Sequence, residues 1–590
     1  MNKGESPAAT RIPWALIWTL LALTAYIFFF VTTFRSLGTQ SDALKYASAA
    51  RSLLRGDGAV TLMVHTISFS NVEPGTVREA ASMLGPLPQY LWTMVLAVAF
   101  LVFGAADTTA AATCGLFYVL SVPLVFGIAR RLFGLRAAHL AAALAILEAN
   151  ALYYSLSGMS ESMFGLLLLL LVYALVRRSG AGWGLIAGLA LGLIVYSREI
   201  GPLYALPLVL LVLSPATRRW QRIIGLLVGL LLVVGADRLS EPLRAYHWQG
   251  QARVRLVQPA PETAPQPTPR PTVQRDEPGD RSQPGPIVGF ITRKLRHVIH
   301  THSPLHPGHS YARGLEMEEG LLTTGEHVEA ILYRARTFNL PLTLRSWFWS
   351  ATNPLLLWAF WLAPFMLLRS REQLWPWLST VGALLAVGAI LQVLFVMERY
   401  YHPAILLMIV FAAGGFSRLA GLIKREGLRR AACVALVLAA TFPWGITAGI
   451  ERMGRFSDYQ CRTLTMPDPE FYSRLGQSVA ALTGPEEVGV SDTPWLVNWY
   501  GDRVCIWLPK DAETLELLMR RTNVDFMLLT FHLRGSLDLR SWEEWLQRAS
   551  ELDGKLDGFE FIRGLRIPGG RFWLFRSDVE YLDAPTGGGA

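Results

Sequence analysis

From Ile12 to Phe34 the chain carries no charged side chain. A stretch of that length crosses the roughly 30 Å apolar core of a bilayer. Further apolar runs lie near 86–104, 108–129, 137–156, 162–176, 182–196, 200–213, 223–236, 351–368, 374–396, 403–417 and 431–449. Repeated runs of this kind leave few options. In lipid every backbone N–H and C=O must be satisfied within its own segment, so the spanning segments become helices. The chain is 52% hydrophobic and 17% charged, with mean hydropathy +0.33. A soluble chain carries about 25% charged residues. The predicted fold class is a polytopic α-helical membrane protein with a small C-terminal α/β domain.

The net charge of +9 does not point to nucleic acid. The Lys and Arg residues stand in short clusters between apolar runs, as loop charges do in membrane proteins. The clusters are Arg130/Arg131/Arg136, Arg177/Arg178, Arg218/Arg219/Arg222, Arg369/Arg371 and Lys424/Arg425/Arg429/Arg430. The positive-inside rule places them in the cytoplasm with Lys3 and Arg11. That holds only if 86–104 does not cross, and Gly85, Pro86 and Pro88 at its start suit a broken or interfacial element. The expectation is about eleven spans, the first an uncleaved signal-anchor, in a bacterial inner membrane.

Residues 1–449 then form the membrane domain. The loop 35–107, the loop 237–348 and the tail 450–590 lie outside the cytoplasm. Residues 258–286 are rich in Pro, Gln and Thr and read as a linker. The run His297, His300, His302, His306 and His309 is either a metal site or an exposed polar loop. Cys114, Cys433, Cys461 and Cys505 form no CxxC pair, and one bridge between Cys461 and Cys505 is open but unforced. In the tail, "EVGVSDTPWLVNWYGDRVCIWLP" reads as apolar strands with turns. "AETLELLMRRTNVDFMLLTF" reads as a helix leading into a strand, and "RFWLFRS" as a terminal strand. Asp492, Trp495, Trp499 and Tyr500 there serve either substrate contact or packing.

The polar residues on the outer side carry the chemistry, if any is present. Asp42 and Lys45 share a face of the helix expected from Ser41 to Leu54, with Tyr46 beside them. Alone they read as a cap and a surface ion pair. Glu161 stands at the lip of a span, where an ionisable group defaults to a functional hypothesis. Arg198 and Arg399 occupy short outer turns that the orientation rule keeps free of positive charge, and Tyr400 and His402 follow Arg399. Two acids and several bases suit the departure of a phosphate with a hydroxyl as nucleophile. No P-loop, HExxH or G-x-G-x-x-G after a strand is present.

"SDALKYASAARSLLRGDG", "GPLPQYLW", "IARRLFGLRAAHLAAAL", "SGMSESMF" and "ERYYHPAILL" occur in the order of motifs in one family. The chain resembles the polytopic glycosyltransferases of the GT-C fold, specifically the protein O-mannosyltransferases and the lipid A aminoarabinose transferase. The resemblance implies an inverting transfer of a monosaccharide from a polyprenyl-phosphate carrier to a protein, lipid or glycan acceptor outside the cytoplasm. By this likeness Asp42 matches the general base and Glu161 the second acidic position. Lys45 matches a carrier-phosphate contact, and Arg198 falls where relatives often carry a basic residue; the outer-turn positions of Arg198 and Arg399 fit binding either of the carrier phosphate or of an anionic lipid headgroup. Tyr46, Tyr400 and His402 are candidate substrate contacts. No cofactor is required by these residues, although a divalent metal stays open. Many relatives carry Lys or His before paired prolines, whereas here Gly85 stands there and Leu87 splits the pair. The rival reading is a flippase of polyprenyl-linked sugars, which needs polar groups along a path through the membrane.

Overall fold

The structure, a computed structural model, describes residues 13–34, 36–37, 41–56, 63–64, 90–177, 180–198, 201–209, 219–250, 354–367, 371–394, 402–441, 471–509, 512–519, 523–530, 540–551, 555–556, 559–567 and 570–577. The linker 258–286, the His297–His309 run, Cys461, Arg399 and Tyr400 lie outside these residues.

The apolar runs become helices: α1 (Trp14–Thr33), α3 (Tyr90–Phe103), α4 (Asp107–Phe133), α5 (Leu135–Leu147), α6 (Ala149–Leu156), α7 (Glu161–Val176), α8 (Ala181–Ser197) and α9 (Gly201–Val209). They continue as α10 (Arg219–Gly250), α11 (Pro354–Leu367), α12 (Arg371–Leu394), α13 (His402–Gly421) and α14 (Glu426–Thr441). Between α1 and α3 stands a less apolar helix, α2 (Ser41–Leu54), followed by a short strand, β1 (Met63–Val64).

Among the described residues, three helices are long and apolar enough to cross a membrane: Trp14–Thr33, Asp107–Phe133 and Pro403–Gly421. The pair Leu135–Leu147 and Asn150–Leu156, bent by 52°, makes a fourth if it is one span. The break falls at Glu148, whose carboxylate accepts from Ala151 N at 2.6 Å and so caps the second half. The expected run 137–156 is thus two helices, because the buried acid offers the backbone a local alternative to continued helix. The expectation of about eleven spans also counts shorter helices such as α7 and α8, which are about 24–26 Å long at 1.5 Å per residue.

Side chains fix which helix ends lie together. Gln373 donates to Leu132 O at 2.7 Å, and Arg418 donates to Gln373 at 3.1 Å. The Tyr173 ring fills the space over Gly127, and Phe133 lies against Gly414. Arg177 stacks on Trp183 at 4.9 Å. Arg222, buried, donates to the carbonyl of Leu175 and so satisfies the end of α7. These contacts gather Arg130, Arg131, Arg177, Arg222 and Arg418 at one end of the bundle. At the other end Cys114 Sγ donates to Met159 O at 3.0 Å, Glu161 meets Arg198, and Tyr196 donates to Asp237 at 2.8 Å.

α3 belongs wholly to that second end. Near its start Trp92 donates to Gly158 O at 3.2 Å, and near its finish Phe100 packs on Trp499 with ring centroids 6.0 Å apart. A helix held at both ends by one end of the bundle lies along it. Its face carrying Val98, Leu101, Val102 and Phe103 is exposed, as suits the boundary of a bilayer.

α8 and α10 pack most closely. A Cβ at Gly188 would stand 2.1 Å from Leu226 O, and one at Gly229 would stand 2.3 Å from Leu185 O. Lipid tails supply no hydrophobic drive between helices, so close backbone approach at small residues does the work.

The tail folds as α15 (Phe471–Leu482), β2 (Val488–Ser491), α16 (Pro494–Gly501), β3 (Val504–Trp507), α17 (Ala512–Met519), β4 (Phe526–Leu529), α18 (Arg540–Glu551), β5 (Lys555–Leu556), β6 (Phe559–Ile567) and β7 (Gly570–Ser577). The strands form a seven-stranded sheet in the order β1-β3-β2-β4-β7-β6-β5. β1, β3, β2 and β4 are parallel, and β7, β6 and β5 add antiparallel pairs. Alternate residues divide two cores. Val504, Ile506, Met527 and Leu529 face α17 and α18 with Trp542 and Trp545. Cys505, Trp507, Phe526 and Leu528 face the core shared with the bundle.

Two features differ from the sequence reading. "PWLVNWYG" is the helix α16, where apolar strands with turns were expected; Pro494 at its first position starts a helix as readily as it ends a strand. The sheet also recruits β1 from the first loop, with Met63 opposite Cys505 and Val64 opposite Ile506. Cys505 is buried as a free thiol.

Candidate active site

The site is built where α2, α3, α4, α7 and α8 meet. The pivot is Gly158, with φ +72, in the turn between α6 and α7. A Cβ there would lie 2.8 Å from Leu37 and 3.2 Å from Ala43. Only glycine takes this left-handed backbone without strain while admitting a neighbour so close. The turn therefore seats directly against the segment entering α2 and its first turn. Its carbonyls are held by Trp92 at Gly158 and by Cys114 at Met159.

Ala43 follows Asp42, and Glu161 follows the turn by three residues, so the packing brings the start of α2 beside the start of α7. Asp42 and Lys45 are half-buried on one side of α2, while Tyr46 is buried in the core. Glu161 opens α7, where the positive end of the helix dipole favours a carboxylate. It is 1% exposed and meets Arg198 Nη1 at 2.9 Å; Arg198 is 3% exposed. The two residues read separately from the sequence are thus one buried ion pair. Because each compensates the other, neither leaves an isolated charge in a region where that is costly.

α13 begins at His402, and a Cβ at Gly165, one turn into α7, would lie 3.9 Å from Pro403 Cα. The first residue of α13 thus lies near the Glu161–Arg198 pair along the bundle axis. The side chain of His402 lies outside the described residues, as do Arg399 and Tyr400. Among the described residues no group of three or more His, Cys, Asp or Glu side chains is spaced to hold a metal ion.

The face of α2 away from Asp42 rests on the C-terminal domain. Ser48 donates to Asn498. Arg51 donates to the carbonyls of Asn498 and Trp499, each at 2.9 Å, and meets Asp502 at 3.1 Å. Its guanidinium also stands 4.7 Å over the Trp499 ring. Arg55 meets Asp502 at 2.9 Å. Burial pushes the Asp502 carboxyl up, but the hydrogen bond from Arg55 and the charges of Arg51, Arg55 and Arg503 outweigh it and hold it below its ordinary value. Asp107, at the start of α4, accepts from Trp499 Nε1 at 2.7 Å, Tyr500 Oη at 2.6 Å and Leu37 N at 3.1 Å.

Trp499 and Tyr500, two of the tail residues open between packing and substrate contact, are therefore joined to Asp107. Asp492 is buried at the end of β2 and accepts from Thr530 N at 3.0 Å and Thr530 Oγ1 at 2.6 Å, tying β2 to the end of β4. Burial pushes its carboxyl up to about 7 against the pull of these bonds. Trp495 packs on Trp507 with ring centroids 5.0 Å apart.

Asp107, Arg51 and Glu148 were not singled out by sequence. Asp107 did carry a signal, an acid in the first turn of a long apolar helix, but two of its three partners lie some 390 residues away.

Residues 85–236 match the family model described as dolichyl-phosphate-mannose-protein mannosyltransferase. A comparison with curated protein sequences finds no match. In fold, the chain is similar to ArnT from Cupriavidus metallidurans in the apo state, with TM-score 0.51 and 13% identity over 95% of this chain and 97% of that one. It is also similar to the Archaeoglobus fulgidus oligosaccharyltransferase tethered to an acceptor peptide, with TM-score 0.50 and 12% identity over 98% of this chain and 75% of that one. In sequence over residues 85–236 and in fold over nearly its whole length, the chain is similar to the GT-C fold polyprenyl-phosphate-sugar glycosyltransferases.

Proposed function

We propose that the chain is an inverting glycosyltransferase that moves a monosaccharide from a polyprenyl-phosphate carrier to a hydroxyl of a lipid, glycan or protein on the extracytoplasmic face. The observation that carries this reading is the seating of the Asp42 helix against the turn that leads into the buried Glu161–Arg198 pair, at the end of the bundle away from the basic clusters.

The acceptor oxygen attacks the anomeric carbon, and Asp42 takes its proton as the bond forms. The bond from that carbon to the phosphate oxygen breaks, and polyprenyl phosphate leaves. One displacement inverts the anomeric centre. Lys45 and Arg399 stabilise the charge on the departing phosphate, and Arg198 does so from within its pair with Glu161. Glu161 then orients the Arg198 guanidinium, since its carboxylate is already engaged at 2.9 Å. Tyr400 and His402 line the approach of the sugar or acceptor, and Tyr46 packs in the core beside the face of α2 that carries Asp42 and Lys45. No step calls for a metal or another cofactor.

The test is transfer by purified protein in proteoliposomes supplied with a radiolabelled polyprenyl-phosphate sugar and a panel of acceptors. Transfer by the wild type, with loss of at least about 100-fold in Asp42→Asn, is the expected result for a general base. Full transfer by Asp42→Asn removes Asp42 from this role. Movement of the labelled lipid across the bilayer with no transferred product replaces the enzyme with a flippase.

A further inference from the structure

Among the described residues, the C-terminal domain meets the first loop at three places, each flanking or lying behind Asp42. Ahead of α2, Leu37 N is held by Asp107, which is itself held by Trp499 and Tyr500. Along α2, Ser48, Arg51 and Arg55 meet Asn498, Trp499 and Asp502. Beyond α2, β1 is an edge strand on β3. At 3.6 residues per turn Arg51 stands about 180° around the helix from Asp42. The domain therefore grips the back of the helix whose front bears the acid.

Arg51 is the centre of that grip. Its planar fork reaches two adjacent carbonyls at the end of α16, where the helix dipole favours a cation. The same guanidinium pairs with Asp502, which adopts φ 54 and ends α16 in the left-handed conformation. A single lysine ammonium reproduces the charge but not the two-carbonyl fork.

We infer that the C-terminal domain is a positioning element of the active site, and that Arg51 acts as a positioning residue setting the rotation of α2 and hence the direction of Asp42. This rests on the glycosyltransferase reading above. Rotation of α2 swings the acid away from the acceptor hydroxyl and carries Lys45 on the same face with it, while Arg198 stands on a separate element. The grip therefore governs kcat most strongly, with a smaller effect on KM for the donor through Lys45.

The experiment uses the full chain in proteoliposomes with labelled polyprenyl-phosphate sugar, comparing wild type, Arg51→Met, Arg51→Lys, Asp502→Asn and Arg576→Ala. Arg51→Met is expected to lower kcat at least about 10-fold, with a smaller rise in donor KM through Lys45. Arg51→Lys recovers part of the loss. Asp502→Asn keeps a residue that tolerates the left-handed backbone and removes only the charge, and it lowers kcat by a smaller factor. Arg576→Ala cuts the exposed pair with Glu487 on the far half of the sheet and leaves kcat unchanged.

If Arg51→Met does not fold, Asp502→Asn against Arg576→Ala decides the matter. Wild-type kcat in both Arg51→Met and Asp502→Asn overturns the inference. So does a loss shared equally by Arg576→Ala, which would report general weakening of the domain. Absence of transfer by the wild type with every sugar and acceptor tried counts against the glycosyltransferase reading itself. A wild type that transfers, beside grip variants that transfer equally well, counts against the positioning role alone.

Discussion

Replacing Glu161 with Gln tests the buried pair most directly. Glu161 and Arg198 are 1% and 3% exposed and 2.9 Å apart, so water screens the pair little. At an effective dielectric of about 20 the mutual attraction is on the order of 6 kcal/mol, and each charge has given up hydration to reach that position. Glu161→Gln removes this attraction while the Arg198 guanidinium stays buried. Breaking a buried pair from one side costs about 3–5 kcal/mol. Glu161→Gln combined with Arg198→Met removes both charges, and its cost falls below that of the single change, since paired removal is often near neutral. Thermal unfolding in detergent micelles, followed by intrinsic fluorescence, ranks the three proteins. The expected order of melting midpoints is Glu161→Gln lowest, the double variant higher and the wild type highest or level with it. Both variants are expected to lose transfer activity, since each alters the pair proposed to act on the carrier phosphate. Glu161→Gln melting with the wild type, or the double variant melting below it, refutes the description of the two residues as a mutually compensating pair.

Three other expectations accompany it. The raised carboxyl of Asp492 means that the folded chain binds a proton there more tightly than the unfolded chain does. Stability therefore falls as pH rises from about 4 to about 7, by up to about 1.4 kcal/mol per pH unit, and is level above that; Asp492→Asn, followed by pH-dependent melting, removes this slope. Gly158→Ala meets Leu37 and Ala43 and forces a left-handed alanine, at a cost of about 1–3 kcal/mol, and its folded yield and kcat fall together. Transfer by the wild type is expected to persist after exhaustive treatment with EDTA, measured with the labelled donor; loss restored by a divalent ion would give a metal a part in the reaction.

The sequence was most informative where one physical rule acts along a local stretch. Charge-free runs became helices because lipid leaves the backbone no other partner. Arg130, Arg131, Arg177 and Arg222 lie at one end of the bundle, and α3 lies along the other. Glu161 and Arg198 were legible as misplaced charges, but not as each other's partner, since nothing local encodes a contact between two separate turns. The residues that grip α2 were least legible. Asp107, Arg51 and Asp502 look like ordinary surface charges until tertiary packing joins them across most of the chain's length. α16 was read as strand because eight mostly apolar residues beside turn signals carry no clear period. The break at Glu148 had a visible cause, an acid within an apolar run, whose capping role only the backbone reveals.

The contact between Ser48 and Asn498 spans 450 residues of chain. At a synthesis rate of about 5–20 residues per second, α2 waits roughly 20–90 s for the helix that will hold it. During that interval the membrane helices can insert and pack, but the acid-bearing helix has no back support. A chain cut short before residue 494 would carry Asp42, Lys45, Glu161 and Arg198 and still lack the surface against which α2 is set. On the proposed reading, α2 gains its support only once the helix Pro494–Gly501 has been made.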